Sequence, residues 1–321
     1  MQVRGTEVLT AIYSEDTFNA VPATPDGKRI YPTSFSLKTQ QARTPSNTLA
    51  GTRARREGFL DNETVTGTLQ AEIAPEWFGL ILKHAIGTVT TTGAGPYTHT
   101  FAIGALPAGI LFEVDHSATI TGSGRYLRHS GSRINSLVMD FAQNGPATFS
   151  ADILGAHTAP YAAPLDATIT DYGHNGFSGF EALITEGGST LAVCKSIKVT
   201  INNNLDGDGY VIGGGGQRVQ MAEGYVDVMA SGSFLFTDAA LMNKALAGTE
   251  TSLVITLTRG SGAGTAGNEK LTITIPQGKY DKTNPEITGP AGVLVDLSLG
   301  AYLKGSTLPI AAELKNALST L

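Results

Sequence analysis

Ser196-Ile197-Lys198-Val199-Thr200-Ile201 alternates polar and apolar residues with a period of two, the pattern of a strand buried on one face and wet on the other. An echo of it stands near the start of the chain, in Ser34-Phe35-Ser36-Leu37-Lys38. After each comes a long polar stretch containing glycine, then a strand carrying Thr66-Gly67-Thr68-Leu69 or Ser231-Gly232-Ser233-Phe234. A helical pattern follows in both places. In the first, Trp77, Phe78, Ile81, Leu82 and Ala85 keep helical spacing between Pro75 and a stop at Gly87. In the second, Asp238 is the N-cap, Leu241, Met242 and Leu246 recur at helical spacing, and Gly248 is the stop. Both series close on a strand, into Leu154-Gly155-Ala156 and Leu299-Gly300-Ala301.

Similar features in the same order, with differences in spacing confined to loops, predict a duplicated domain. Alternation recurs elsewhere, in Leu137, Met139 and Phe141, in Leu253, Ile255 and Leu257, in Leu271, Ile273 and Ile275, and in Val293, Val295, Leu297 and Leu299. Asn144-Gly145 marks a hairpin turn between two such runs. The chain is therefore expected to be mainly β, with one domain over residues 33–160, a second over 161–304, and a linker in His157–Pro164. Residues 1–32 hold Pro22, Pro25 and Pro32 and show no long alternating run, so they are expected to form an arm ordered on a neighbour. Residues 305–321 are an extension in which Ile310, Leu314, Leu318 and Leu321 fit helical spacing.

The 321 residues carry 22 basic and 28 acidic side chains, a net charge of −6, which argues against a free-standing nucleic-acid binder with a basic footprint. At 41% hydrophobic and 16% charged, the composition is too apolar for a disordered chain. There is no apolar run of bilayer length and no signal-peptide core at the start, so a soluble protein made in a cytosol, not inserted in a membrane, is expected. Cys194 is the single cysteine and cannot close an internal disulfide or supply a thiolate metal site.

Motifs of chemistry fail on context. Gly262-Ala263-Gly264-Thr265-Ala266-Gly267 fits a dinucleotide fingerprint, but a strand follows it where a helix is needed. Asn204, Asp206, Asp208 and Gly209 imitate the start of a calcium loop whose closing glutamate is replaced by Gly215. Asp115-His116-Ser117 has the residue types of a catalytic triad, but strand neighbours point to opposite faces. No catalytic residue, metal site or cofactor is expected. The cluster Arg43, Arg53, Arg55 and Arg56 lies in the long stretch of the first half, and Asp206 and Asp208 lie in its counterpart in the second. Phosphate binding, a solvated loop, and docking of oppositely charged loops between copies are the open readings.

Glu15, Thr17, Phe18, Pro22-Ala23-Thr24-Pro25 and Lys28-Arg29, then Thr33–Lys38, Arg43, Leu49, Gly51, Arg53 and Val65–Leu69, together resemble the major tail tube proteins of long-tailed bacteriophages in their two-domain version. The resemblance is best over roughly the first 90 residues. It implies two tandem β-sandwich or split-barrel domains, each with one flanking helix, in a structural virion protein of the phage tail. It further implies rings of three copies, with six domain positions around the axis, stacked into a hollow tube through which DNA passes without specific binding. Tape measure, tail terminator and distal tail proteins are the implied partners beside the chain itself. On the alternation, Glu72, Asp140, Asp152, Asp227 and Asp296 lie opposite the apolar positions and are the expected wall of the channel, while Arg43, Arg53, Arg55, Arg56, Asp206 and Asp208 are the expected contacts between subunits. A baseplate or tail-terminator relative is an alternative. So is a carbohydrate-binding β-sandwich, which calls for exposed aromatic residues in a chain with only 7% of them.

Overall fold

The computed structural model describes residues 2–49, 51–285 and 292–321. In its first part the chain forms β1 (Leu9–Glu15), β2 (Lys28–Ile30), β3 (Pro32–Phe35), β4 (Lys38–Thr44), β5 (Phe59–Glu72), α1 (Phe78–Ile86), β6 (Gly87–Thr92), β7 (Tyr97–Ile103), β8 (Gly109–Asp115), β9 (Tyr126–Ala142), β10 (Thr148–Gly155) and β11 (His157–Tyr161). There follow β12 (Ala182–Glu186), β13 (Ser189–Thr190), β14 (Cys194–Asn202), β15 (Asp227–Leu235), α2 (Ala240–Ala247), β16 (Glu250–Thr258), β17 (Lys270–Tyr280), β18 (Leu294–Ala301) and β19 (Ala311–Asn316). The mainly β expectation and both interior helices hold. Gly145 takes the positive φ of 82° that the turn between β9 and β10 needs, and Gly248 ends α2 at 61°.

All pairings between these strands are antiparallel, and they build two long layers. One runs β4–β5–β10–β9–β14–β15–β18, with β3 beside β5. The other runs β12–β16–β17–β19–β7–β6. The two meet where the end of β17 pairs with β18. A smaller sheet, β2–β1–β8–β9–β11, uses the first half of the 17-residue β9, whose second half belongs to the first long layer. Inward side chains of both long layers, among them Leu69, Ile153, Met139, Val199 and Leu297 from one and Phe101, Leu314, Ile273 and Ile255 from the other, share one core.

Four expectations are corrected. The two halves are not separate bodies, because β9 pairs with β14 across the halves in one layer and β19 sits between β7 and β17 in the other. The stretch predicted as a linker pairs in part as β11. Residues 1–32 are not a free arm: β1 lies between β2 and β8, and Ala11, Ile12 and Tyr13 are all buried. A strand covered on both faces shows a continuous apolar run, so its alternation is absent from the sequence. The chain end is a strand and not a helix. Ala312, Leu314 and Asn316 alternate inward along β19, and the period of two is hidden because the third inward residue is polar. Asn316 is satisfied in place: its amide donates to the Pro75 carbonyl at 2.8 Å, and its oxygen is 3.1 Å from His99 Nε2.

The helices differ. In α1, Phe78, Leu80, Ile81, Leu82, Ala85 and Ile86 are all buried, whereas in α2 only Ala245 is. The C-terminus of α1 is held from the second half by Asn203, whose amide donates to the carbonyls of Ala85 and Ile134 at 3.1 and 2.9 Å.

Leu314→Ala, at a position with no exposure in the strand that joins the halves, should cost about 2–5 kcal/mol in urea unfolding. The buried histidines fix the acid behaviour. Burial holds His84 down to about 3 and His129 down to about 4. The stability they contribute is complete above the ordinary histidine value of 6.5 and is lost as pH falls below it, because the unfolded chain takes up protons that the folded one refuses. Glu15 acts in the opposite sense. Burial pushes it up to about 7, so its share is complete below 4.5 and is lost as pH rises through 7. Between pH 6.5 and 5, His84→Gln should therefore remove about 2 kcal/mol of the pH-dependent loss, read as a flatter dependence of the urea midpoint on pH.

Candidate assembly and lumen surfaces

The register of the first long layer places Glu72, Asp140, Asp152, Asp227 and Asp296 on a single face. Thr148 stands opposite both Glu72 and Asp140, and Asp152 is two residues along β10 on the same side. Asp140 is opposite Lys198, Asn202 is opposite Asp227, and Ser233 is opposite Asp296. The intervening positions on this face are largely short and polar, such as Thr68, Ser136, Ser150, Thr200, Ser231 and Ser298. Among the described residues, the rows from β5 to β18 carry these five carboxylates with Lys198 and, opposite Leu154, Arg133, and Lys38 stands opposite Thr66 on the adjoining β4.

The carboxylates are not equally free. Lys198 Nζ lies 3.1 Å from Asp140, and Glu72 accepts from His174 Nε2 at 2.9 Å. Asn204 donates to Asp227 at 2.7 Å. Asp227 and Asp296 are exposed, and Asp152 is half-buried. At the far end of β9 the same face would show Arg133, but this guanidinium is spent on the carbonyls of Ala108 and Met221 and on Glu223 at 3.2 Å. The chain's own loops thus cover Arg133, while Lys198 and Lys38 stay exposed on this face beside the carboxylates.

The long polar stretch of the first half is in part the outer portion of the β4–β5 hairpin, over residues 40–44 and 59–62. Every residue of β4 is exposed, and β5 has its first buried side chain at Val65. The hairpin is rooted through Glu63, which accepts from His157 Nδ1 at 2.8 Å and from the Thr158 amide at 3.0 Å. Beyond that root it carries apolar side chains into water: Leu49 is fully exposed, Phe59 is 70% exposed and Leu60 59%. Adjacent Phe59-Leu60 in a polar stretch is the signal of this surface in the sequence. Among the described residues Arg43 reaches Glu57 at 3.8 Å, and Arg53, Arg55 and Arg56 make no ion pair. Phe59 and Leu60 thus stand uncovered on the outer part of β5.

The counterpart stretch, 203–226, folds back on its own chain. Arg218, buried, donates to the carbonyls of Gly155 at 2.6 Å, Val65 at 3.3 Å and Gly207 at 2.6 Å, which ties this loop to β5 and β10. Asp206 and Asp208 are exposed and organise local turns: the Asp206 amide donates to the Ala222 carbonyl, and the Asp208 amide to Asp206 Oδ1. The structure does not join them to the arginine cluster. Ile212 at its tip is fully exposed, and so is most of Tyr225 near its end.

The motifs rejected from sequence take ordinary places. Asp115 accepts from the Ser117 amide at 2.7 Å in a turn, and Gly262–Gly267 lies in the connection between β16 and β17. Cys194 is half-buried, and burial pushes its thiol up to about 11, the opposite of what a nucleophile needs.

No curated protein sequence matches the chain. The sequence pattern of the phage tail tube protein family matches residues 5–301, a span that takes in β1 through β18, the exposed hairpin and the whole acidic face. With most of its length inside that pattern, the chain belongs to the phage tail tube protein family, whose members are structural, non-enzymatic parts of the virion tail that polymerise into tubes.

Proposed function

We propose that three copies of this chain close into a ring, that rings stack into the tail tube, and that the acidic face of the first long layer lines the channel through which DNA passes into the host. The observation that carries this reading is the gathering of five carboxylates, drawn from both halves of the chain, onto one face of one sheet. A duplex presents a dense row of phosphates and binds any wall that lets it release counterions. An acidic wall offers no such exchange. Its repulsion reaches about 8–10 Å at physiological salt, far enough to act on a duplex in a narrow channel.

Three copies are what the resemblance to two-domain tail tube proteins implies, with six domain positions around the axis, and the pairing scheme supports this reading through a tandem duplication within the continuous fold. The set β4–β5–β10 in the first half has the same order and antiparallel pairing as β14–β15–β18 in the second. Helix α1 follows β5 as α2 follows β15, and the hairpin β6–β7 follows α1 as β16–β17 follows α2. Two equivalent units per chain fill six positions with three chains. Such a ring is closed by heterologous contacts from first unit to second. Tape measure, tail terminator and distal tail proteins are the partners this role requires inside the tube and at its ends. The exposed arginine hairpin supplies contacts between subunits, and Asp206 and Asp208 remain the acidic side of that proposal.

Two outcomes are expected. Reversing Arg53, Arg55 and Arg56 together to glutamate should abolish tubes in electron micrographs. The isolated chain should keep its stability within about 0.5 kcal/mol, because these side chains are exposed and form no ion pair or hydrogen bond among the described residues. Replacing Asp152, Asp227 and Asp296 with lysine should leave tubes that retain duplex DNA in a sedimentation assay at about 0.1 M salt, where tubes of the unaltered chain retain none.

A further inference from the structure

Asparagine followed by glycine occurs twice in the chain, at Asn144-Gly145 and at Asn175-Gly176. The pair is chemically weak, because glycine has no Cβ to shield its amide nitrogen from the carboxamide beside it. Attack by that nitrogen needs a carboxamide that can turn, an amide without other partners and room for the two to meet. The fold brings the two pairs near one another: the Gly179 amide donates to the Gly145 carbonyl at 2.9 Å, and the Ala147 amide to the Phe177 carbonyl at 2.8 Å. It treats them in opposite ways.

Asn144 and Gly145 are the middle of the turn from Gln143 to Pro146 between β9 and β10, and all four residues are exposed. Among the described residues neither the Asn144 carboxamide nor the Gly145 amide has a hydrogen-bond partner. Nor is the turn closed on itself, because its fourth residue is Pro146, which has no N–H to give to the Gln143 carbonyl. A Cβ added to Gly145 would meet nothing within 4 Å, so the space around its amide is open.

Asn175 is clasped instead. Its Nδ2 donates to Glu76 Oε1 at 2.9 Å and its backbone amide to Glu76 Oε2 at 3.3 Å. Gly176 is walled in by Glu72, whose Oε2 lies 2.8 Å from where a Cβ would stand, and its carbonyl accepts from the Arg259 guanidinium at 2.6 Å. Two carboxylates beside this pair also disfavour the amide anion that has to form.

We infer that Asn144 is a site of spontaneous deamidation in the folded chain, and that Asn175 is protected from it by the clasp of Glu76 and Glu72. Water is the only co-reactant. The Gly145 nitrogen gives its proton to hydroxide and bonds to Asn144 Cγ; the Cγ–Nδ2 bond breaks, the nitrogen leaves as ammonia with a proton from water, and a cyclic imide remains. Water then opens the imide. Breaking the bond from nitrogen to Cγ gives aspartate, and breaking the bond from nitrogen to the main-chain carbonyl carbon gives isoaspartate, with an extra methylene in the main chain. Nothing is oxidised or reduced. Either product adds a negative charge at the end of the strands that carry Asp140 and Asp152, and the second also lengthens the turn between them.

The test ages the dispersed chain in mildly alkaline buffer and maps its peptides by mass spectrometry, with chromatography that separates aspartate from isoaspartate. Conversion at 144 should run at least about tenfold ahead of conversion at 175, the ratio expected when the clasp adds the equivalent of one charge-assisted hydrogen bond to the barrier. In concentrated urea, where no clasp exists, the two sites should convert at similar rates. Glu76→Ala should raise conversion at 175 about tenfold and leave 144 unchanged. Equal rates in the folded chain, a faster reaction at 175, or a contrast that persists undiminished in urea would overturn the inference.

Discussion

The fold depends on the register between β9 and β14. Ala142 stands opposite Ser196 and Ser136 opposite Asn202, with no slip between. This seam joins the first half of the chain to the second within one layer, and it sets which side chains of both halves face inward. A slip of one residue would turn Ile197, Val199 and Ile201 to water and bring Lys198 into the core. The cost of that inversion is what holds the acidic face together, because Asp140 and Asp152 are aligned with Asp227 and Asp296 only through β14. β19 performs the matching task in the other layer, between β7 and β17.

What could be read from the sequence follows from which segments obey simple rules. β14, β16, β17 and β18 have one wet face, so alternation identified them, and it also put the five acidic residues on the polar side. Both interior helices were legible from their spacing and glycine stops. β1 was missed because it is covered on both faces and so lacks alternation, and β19 because a buried asparagine breaks its apolar period. The union of the two halves was invisible for a different reason. Pairing of β9 with β14 is a contact between distant segments, and a repeat in the sequence says only that units resemble one another, not that they share a core.

The candidate surfaces show the same division. The arginine cluster was plain in the sequence, whereas the protruding geometry that exposes Phe59 and Leu60 depends on Glu63 being clasped by His157 and Thr158 from β11. Arg218 ties the counterpart stretch to its own chain, a bond no pattern in the sequence announces. The result is an asymmetry: of two long connections at equivalent places in the halves, one is rooted at its base and free beyond, and the other is pinned along its length.

The account centres on a sheet whose acidic face looks into a channel. A helical reconstruction of the assembled tube by cryo-electron microscopy, at a resolution that separates strands, tests it most directly. The account predicts three chains per ring, with Asp140, Asp152, Asp227 and Asp296 facing the channel. Six chains per ring, or a channel lined mainly by lysine and arginine with these aspartates on the outer surface, would contradict it.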